Sequence, residues 1–311
     1  MSRYILKRLL MMIFVILGVI TLIFTLLYFT PGDPARQVLG PNADEEAVQA
    51  LHTKMGLDDP FFVRLGRYMY NLFFKLDMGD SYRTKTPVMK EIMQRFPITI
   101  KIGLWGVFVS LIIGISTGIV SAVRQYTLLD EVGNFIAVIG SAMPQFWFGL
   151  ELSLLFALRW KILPATGYQG FKYLILPVAT MGFTGAAGFF RITRSSMLEV
   201  IRSDYVRTAR SKGQSEFKVI MHHAFKNALI PIITTISSTI GRVLAGSVLI
   251  ENIFAIPGLG SYMLTAINNR DYPVIQGGVI FIALFISIVM LITDLIFAMI
   301  DPRIKAQFKR S

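Results

Sequence analysis

Six long apolar runs dominate this sequence and restrict its fold more than any other feature. They cover approximately residues 9–29, 98–123, 135–158, 174–190, 229–250 and 278–300. Their lengths are close to the roughly 20 residues that an α-helix needs to cross the hydrocarbon core of a bilayer. Only 16% of the 311 residues are charged, whereas soluble domains contain about a quarter. We therefore predict an all-α polytopic membrane protein with six transmembrane helices and a membrane core over 98–300.

Lysine and arginine are concentrated in three of the segments that flank these runs. The N-terminal part of 1–29 carries three basic residues before its apolar run, the segment 191–228 carries eight and the tail 301–311 carries four. Because cytoplasmic loops are enriched in Lys and Arg, this distribution predicts that all three segments are cytoplasmic. The formal net charge of +12 is then explained by topology in a lipid bilayer, without any nucleic-acid partner.

The first apolar run resembles a signal peptide only superficially. It is longer than a typical signal-peptide core, and the stretch YFTPGDPA that follows it has no convincing small-x-small cleavage pattern. We interpret the run as an uncleaved first span, in a multi-pass protein of the cytoplasmic (inner) membrane.

The segment 30–97, between the first two runs, is predicted to be a helical loop on the external side. Asn42 and Glu45 have the spacing of a capping box, and Gly56 stands where such a helix would end. Pro60 suits the first position of the aromatic-rich helix that follows. The stretch PVMKEIMQRF has a helical apolar stripe that leads into the second run.

A basic segment between the fourth and fifth runs has the pattern of two helices joined at a glycine. We call residues 197–228 the elbow. Its apolar residues recur at helical spacing on each arm: Leu198, Ile201, Tyr205 and Ala209, then Phe217, Ile220, Ala224 and Ala228. Gly213 has the backbone freedom to end the first helix, and Ser215 is a suitable N-cap for the second.

Periodicity alone leaves two interpretations of the elbow open. It could be a juxtamembrane basic loop that only fixes the topology and contacts anionic lipid. A loop of that kind needs neither an apolar stripe on both arms nor a glycine at the bend. Those features favour a rigid knob that docks into another protein.

The elbow sequence YVRTARSKG…HAFKNALIP resembles the cytoplasmic coupling-loop motif of ABC-importer permeases, in its dipeptide and oligopeptide permease variant. The general pattern, Glu-Ala-Ala, three residues, then Gly, falls on Arg207, Thr208, Ala209 and Gly213, of which only Ala209 and Gly213 match. Other stretches resemble the same family in the same order: TPGDPARQVLGP, DMGDSYRTKTPV, PQFWFGL, IENIFAIPGLG and DLIFAMIDPR. The resemblance covers nearly the whole chain.

This resemblance implies the type I ABC importer permease fold and a set of partners. A sister permease subunit would form the other half of a heterodimer, two ATP-binding subunits would drive it, and an extracytoplasmic solute-binding protein would deliver dipeptides or oligopeptides. Nickel chelates and glutathione are substrates of similar permeases and remain alternatives. The chain contains no G-x-x-x-x-G-K-[ST] phosphate loop, so ATP and Mg are expected on the ATPases and no cofactor in this chain.

The same resemblance implies that a cytoplasmic coupling helix between spans 4 and 5 couples transport to ATP hydrolysis. The residues expected to dock onto an ATPase are Arg207, Thr208, Ala209, Arg210, Ser211, Lys212, Gly213, Gln214, Ser215 and Glu216.

Polar residues within the apolar runs are candidates for the translocation path, because ionisable groups at membrane depth are costly. Arg242 and Ser238 lie in a small, polar stretch of the fifth run, and Glu151 lies in the third. Arg242 could meet a substrate carboxylate or a charge on the sister subunit. A structural ion pair of Arg242 with Glu151 or Asp294 is the alternative.

Two other classes of protein fit the sequence less well. A membrane-embedded enzyme would need Asp, His or Ser clustered at one depth, yet the chain has neither H-E-x-x-H nor G-x-S-x-G. The adjacent His222 and His223 would point about 100° apart on a helix, which disfavours a metal site. A secondary transporter would show paired broken helices in two inverted halves, and it would leave the basic elbow unexplained.

Overall fold

The computed structural model describes the backbone of residues 2–300 and their side chains except those of 2–5, 7, 237, 242, 244–246, 294 and 296–300. Within this range the chain forms thirteen α-helices: α1 (Ser2–Tyr28), α2 (Pro34–Leu39), α3 (Glu45–Met55), α4 (Phe61–Lys75), α5 (Val88–Val123), α6 (Leu128–Ala142), α7 (Gln145–Ser153), α8 (Phe171–Ile201), α9 (Asp204–Ser211), α10 (Glu216–Lys218), α11 (Lys226–Ile253), α12 (Leu259–Asn268) and α13 (Tyr272–Ile300). π-Helical turns follow α7 at Leu154–Arg159 and α10 at Val219–Phe225. No β-strand occurs between residues 2 and 300.

Five helical segments in the described range are long and apolar enough to cross a membrane: Arg8–Tyr28, Val88–Val123, Phe171–Ile201, Glu216–Gly241 and Tyr272–Thr293. A sixth span results if α6 and α7 count as one, although they are bent by 103°. The prediction of six helical spans is therefore confirmed when the bent pair is counted as one span.

The third apolar run was predicted at 135–158 and differs most from its prediction. Its helix starts earlier, at Leu128, and breaks at Met143 and Pro144. Met143 is extended, with φ −74° and ψ 127°, because the ring of a following proline disfavours the helical conformation. Pro144 therefore breaks the helix completely.

One compact unit consists of the chain up to Ile98 and from Gly258 onward; we call it the terminal unit. Its core joins residues of the first span, such as Ile20, to Leu65 of α4, Ile92 of α5 and Val274 of α13. The helices of the 30–97 segment thus bury apolar side chains against membrane-spanning helices.

Local details of the 30–97 segment depart from the sequence pattern by one or two residues. The predicted Asn42 capping box is wrong, because α3 begins at Glu45 with Asp44 as N-cap and has no side-chain cap hydrogen bond. Pro60 is the N-cap of α4 rather than its first residue. Gly56 ends α3 in the left-handed conformation, with φ 64°, as predicted.

The second compact unit, Thr99–Pro257, contains the rest of α5 and the helices α6 to α11; we call it the central unit. Its central helix α8 packs against α6, α7 and α11. Gly114 of α5 allows α8 to approach closely, because a Cβ there would lie 2.6 Å from the Ala186 carbonyl oxygen. The Ser110 hydroxyl donates to backbone carbonyls of both α5 and α8, including Met181 at 3.2 Å and Gly182 at 3.0 Å.

Candidate functional site

The elbow is a helix–turn–helix that lies between two long helices, α8 and α11. α8 ends at Ile201, and after Arg202 and Ser203 the chain starts again as α9. Lys212–Ser215 form the bend, and α10 then runs through a π-helical turn into α11 without a gap. The elbow is therefore attached rigidly at both ends, by two residues on one side and a continuous helix on the other.

Gly213 sets the direction of the bend. Its φ is +74°, a conformation that L-residues with a Cβ adopt only at a cost. No atom lies within 4 Å of where a Cβ would be, so the requirement for glycine is one of backbone conformation and not of space. The Gly213 N–H donates to the Arg210 carbonyl at 2.9 Å, which closes the end of α9. The prediction that Gly213 ends this helix is confirmed.

Side chains on either side of the glycine brace the bend. The Arg210 guanidinium binds both carboxylate oxygens of Glu216, at 2.6 and 3.1 Å, and this contact raises the pKa of Arg210 above its ordinary value. His223 is hydrogen-bonded to Gln214 at 2.7 Å. Ser215 occupies the predicted N-cap position of α10, but its hydroxyl makes no cap hydrogen bond.

The buried face of the elbow differs from the predicted stripe at two aromatic residues. Ala209, Ala224 and Ala228 are buried as expected, in a cluster that also contains Met197, Val206, Val219 and Ala122 of α5. Tyr205 is 46% exposed and Phe217 is 78% exposed. The break between α8 and α9 shifts the helical register, so that Val206 takes the buried position expected for Tyr205.

The exposed face combines apolar and polar groups. Of the ten residues predicted to dock, eight are exposed: Arg207, Thr208, Arg210, Ser211, Lys212, Gly213, Ser215 and Glu216. Gln214 is half-buried, and Ala209 is buried, which suits an anchor better than a contact residue. Phe217, Tyr205 and Met221 add exposed apolar surface, and these three residue types are enriched at protein interfaces.

A buried ion pair, which the sequence did not reveal, joins three helices beside the elbow. Asp130 of α6 is 3% exposed and accepts hydrogen bonds from Arg194 of α8, from Nε at 2.7 Å and from Nη2 at 2.8 Å. Three further donors complete its shell: the Ser121 hydroxyl of α5, the Tyr126 N–H at 3.0 Å and the Asn134 amide at 2.9 Å. Arg194 lies seven residues before the end of α8, so this pair fixes the helix that carries the elbow.

A cleft of about 330 Å³ with several polar side chains lies elsewhere in the central unit, among α5, α6, α7, α8 and α11. Its lining includes Ser141, Gln145, Thr184 and Arg191. The Arg191 guanidinium is exposed and, among the described side chains, hydrogen-bonds only to the Ser141 hydroxyl, at a long distance of 3.4 Å. No carboxylate among the described side chains pairs with it. Volumes of this order are typical of small-molecule sites.

Two of the three residues predicted for the translocation path, Ser238 and Glu151, do not line this cleft. Ser238 is exposed on α11 and donates to the Thr235 carbonyl at 3.0 Å, while Glu151 is exposed on α7. The backbone of Arg242 belongs to α11, but its side chain and that of Asp294 lie outside the described residues. Their roles, including the alternative ion pair, stay predictions.

Relatives of this chain are found along its whole length. It is 39% identical to the "Dipeptide transport system permease protein DppB" of Alkalihalophilus pseudofirmus, over 98% of this chain and 100% of the relative. The Bacillus subtilis protein of the same name is 37% identical over 99% of this chain and 100% of its own length. The Escherichia coli K12 protein is 34% identical over 98% and 99%.

A solved structure and two family models also match this chain. The "MetNI methionine ABC transporter" in an inward-facing conformation matches with a TM-score of 0.58 and 16% identity, over 68% of this chain and 97% of that chain. This match shows the fold, which is that of type I ABC importer permeases. A model described as the "Binding-prot-dependent transport system membrane comp, N-term" matches residues 1–103. Because the model of the "Binding-protein-dependent transport system inner membrane component" also matches residues 114–306, the chain belongs to this family of membrane transport proteins.

Proposed function

We propose that this chain is the permease subunit of an ATP-driven peptide importer. It would form half of a translocation pathway with a sister permease, receive peptides from an extracytoplasmic binding protein and be driven by two ATP-binding subunits that hold ATP and Mg. The observation that carries this proposal is the elbow, a braced protrusion with a buried anchoring face and an exposed apolar and cationic face. The curated relatives named as dipeptide permeases supply the substrate class.

The structure suggests how the elbow would transmit motion. A lever must move as one body, and the elbow is tied to the central unit by its buried cluster and by the Asp130–Arg194 pair. Its exposed residues would sit in a groove of one ATPase, so that closure of the ATPases pulls on α8 and α11 together. The enrichment of the elbow and both terminal segments in Lys and Arg supports a cytoplasmic location for all three.

The cleft around Arg191 supports peptides as the transported class. A guanidinium without a carboxylate partner is suited to bind the carboxylate of a peptide. The hydroxyls and amide of Ser141, Thr184 and Gln145 can exchange hydrogen bonds with a peptide backbone without reading its side chains. This arrangement fits a transporter that accepts many peptides.

The proposal can be tested with two matched proline substitutions. Gly213→Pro and Gly40→Pro both replace a glycine of positive φ, +74° and +96°, that has no neighbour within 4 Å of a Cβ. Both also remove an N–H that donates to a helix carbonyl, Arg210 at 2.9 Å and Arg36 at 2.8 Å. Only Gly213 lies in the elbow. The assay is peptide uptake and binding-protein-stimulated ATP hydrolysis by the reconstituted complex.

We expect Gly213→Pro to abolish coupled uptake and stimulation while membrane insertion remains, and Gly40→Pro to retain most of both. Equal activity of the two variants would contradict the role of the elbow. Competition of labelled dipeptide uptake by glutathione or by a nickel chelate then distinguishes the substrate alternatives, and we expect dipeptides to compete best.

A further inference from the structure

A second polar cavity, of about 340 Å³, lies within the terminal unit. It lies where α1 ends and α13 begins. Both helices contain candidate membrane spans, so a cavity at their ends is expected near the lipid headgroups. Its lining combines apolar side chains, including Phe24 and Leu27 of α1, with polar ones, namely Arg64, Tyr82, Tyr272 and Gln276. None of these residues belongs to the elbow or to the cleft around Arg191.

The cation of this cavity is Arg64, which has no acidic partner among the described residues. Its guanidinium lies 5.1 Å from the centre of the Tyr28 ring and donates one long hydrogen bond, 3.3 Å, to the Leu57 carbonyl. Among the side chains that the structure describes, no carboxylate is within ion-pair distance of it. A guanidinium carries five N–H donors, so Arg64 keeps most of its capacity to bind an anion.

Tyr272 provides a second, independent sign of a ligand. This residue is 7% exposed and lines the cavity, yet its hydroxyl has no hydrogen-bond partner among the described residues. A buried hydroxyl without a partner is costly. The backbone of Gly32 keeps the space beside it open, because a Cβ at Gly32 would lie 3.2 Å from the Tyr272 oxygen.

The carboxylate of Asp271, the residue before Tyr272, is bound by other donors. It accepts hydrogen bonds from the Ser81 hydroxyl at 2.5 Å and from the Tyr82 N–H at 3.0 Å. Burial, together with the charge of Asp271, raises the pKa of Tyr82 to about 12, so the Tyr82 hydroxyl keeps its proton at neutral pH. Arg64, Tyr82 and Tyr272 thus present donors around one cavity.

We propose that this cavity binds the phosphate headgroup of an anionic phospholipid. The phosphate would take hydrogen bonds from Arg64 and the Tyr272 hydroxyl, while the glycerol and the first acyl carbons would contact Phe24 and Leu27. A lipid fits better than a free anion because apolar side chains of α1 line the cavity beside the donors, and because the cavity lies at the ends of two candidate membrane spans. This site does not depend on the coupling role of the elbow.

The test measures lipid binding to the full-length chain, purified with its partner subunits and stripped of lipid. Native mass spectrometry follows titration with short-chain phosphatidylglycerol, with phosphatidylcholine and with inorganic phosphate. Arg64→Gln removes the cation, and Tyr272→Phe removes only the hydroxyl. Each variant has a control on α4. For Arg64→Gln the control is Arg67→Gln, which removes a neighbouring arginine that pairs with Asp59. For Tyr272→Phe the control is Tyr68→Phe, which removes a buried hydroxyl that also has no partner among the described residues but does not line the cavity.

We expect phosphatidylglycerol to bind more tightly than phosphatidylcholine and far more tightly than phosphate. Arg64→Gln should weaken its binding about tenfold or more and Tyr272→Phe about fivefold, and both controls should leave it unchanged. In lipid-stripped protein, Tyr272→Phe should leave the free energy of unfolding unchanged or raise it. The same measurement shows that the variant folds. Equal binding of inorganic phosphate would overturn the lipid assignment in favour of a soluble anion. Wild-type lipid binding by both cavity variants would overturn the site altogether.

Discussion

Neutralising Asp130 should loosen the attachment of the elbow without touching its exposed face. In Asp130→Asn the amide keeps the shape of the carboxylate but loses the negative charge that faces Arg194. Its NH2 group also points a donor at N–H or O–H groups that themselves donate to Asp130 in the wild type. Removing one partner of a buried ion pair costs about 3–5 kcal/mol. The Arg194 side chain is 23% exposed, so water recovers part of its solvation, and we expect a loss of about 2–3 kcal/mol in the free energy of unfolding.

The assay is denaturant unfolding of the purified chain in detergent, alongside the ratio of peptide transported to ATP hydrolysed. Glu131→Gln is the control, because Glu131 is the next residue, carries the same charge and is exposed. We expect the control to stay within about 0.5 kcal/mol of the wild type and Asp130→Asn to lower the transport ratio as well as the stability. Arg194→Gln should cost a similar amount, and the double variant should cost less than the sum of the two. Wild-type stability of Asp130→Asn would refute this reasoning.

Three further predictions concern other parts of the chain. Arg191→Gln should reduce peptide uptake about tenfold or more, because it removes a charge-assisted hydrogen bond to the peptide carboxylate, while unfolding stability and binding of the ATPases stay unchanged. Phe217→Ser should leave stability within about 0.5 kcal/mol, because the ring is 78% exposed, but should weaken co-purification of the ATPase. Burial alone would raise the pKa of Asp33, but hydrogen bonds from the Ala35 N–H and from His52 lower it below 3.8. Its contribution to stability is therefore present above about pH 4 and lost as the pH falls through the lowered pKa, and a pH series of unfolding should show this loss in the wild type but not in Asp33→Asn.

Segment-level features of the fold could be predicted because hydrophobic periodicity and length report directly on membrane spans. The helices α1, α5, α8, α11 and α13 correspond to five of the six apolar runs. Gly213 was also predictable, since only glycine takes a positive φ at low cost and the residue stands between two helical stripes.

Features that depend on tertiary partners could not be predicted. Asp130 and Arg194 are 64 residues apart in the chain, and nothing local marks them as a pair. The exposure of Tyr205 was missed because periodicity assumes an unbroken helix, whereas the chain breaks at Arg202 and Ser203. The cleft around Arg191 combines five helices. Its cation falls just outside the apolar run of the fourth span, where an arginine carries no signal of membrane depth.

The most direct test of the central claim is photo-crosslinking from the elbow. Phe217 is replaced by p-benzoylphenylalanine, which nearly preserves its shape, and Phe62 on α4, 81% exposed, is replaced in the same way as a control. We expect the probe at position 217 to crosslink to an ATP-binding subunit in a transporting complex, and the probe at position 62 not to do so. A complex that transports peptide while the elbow probe crosslinks to no ATP-binding subunit would contradict the coupling role of the elbow.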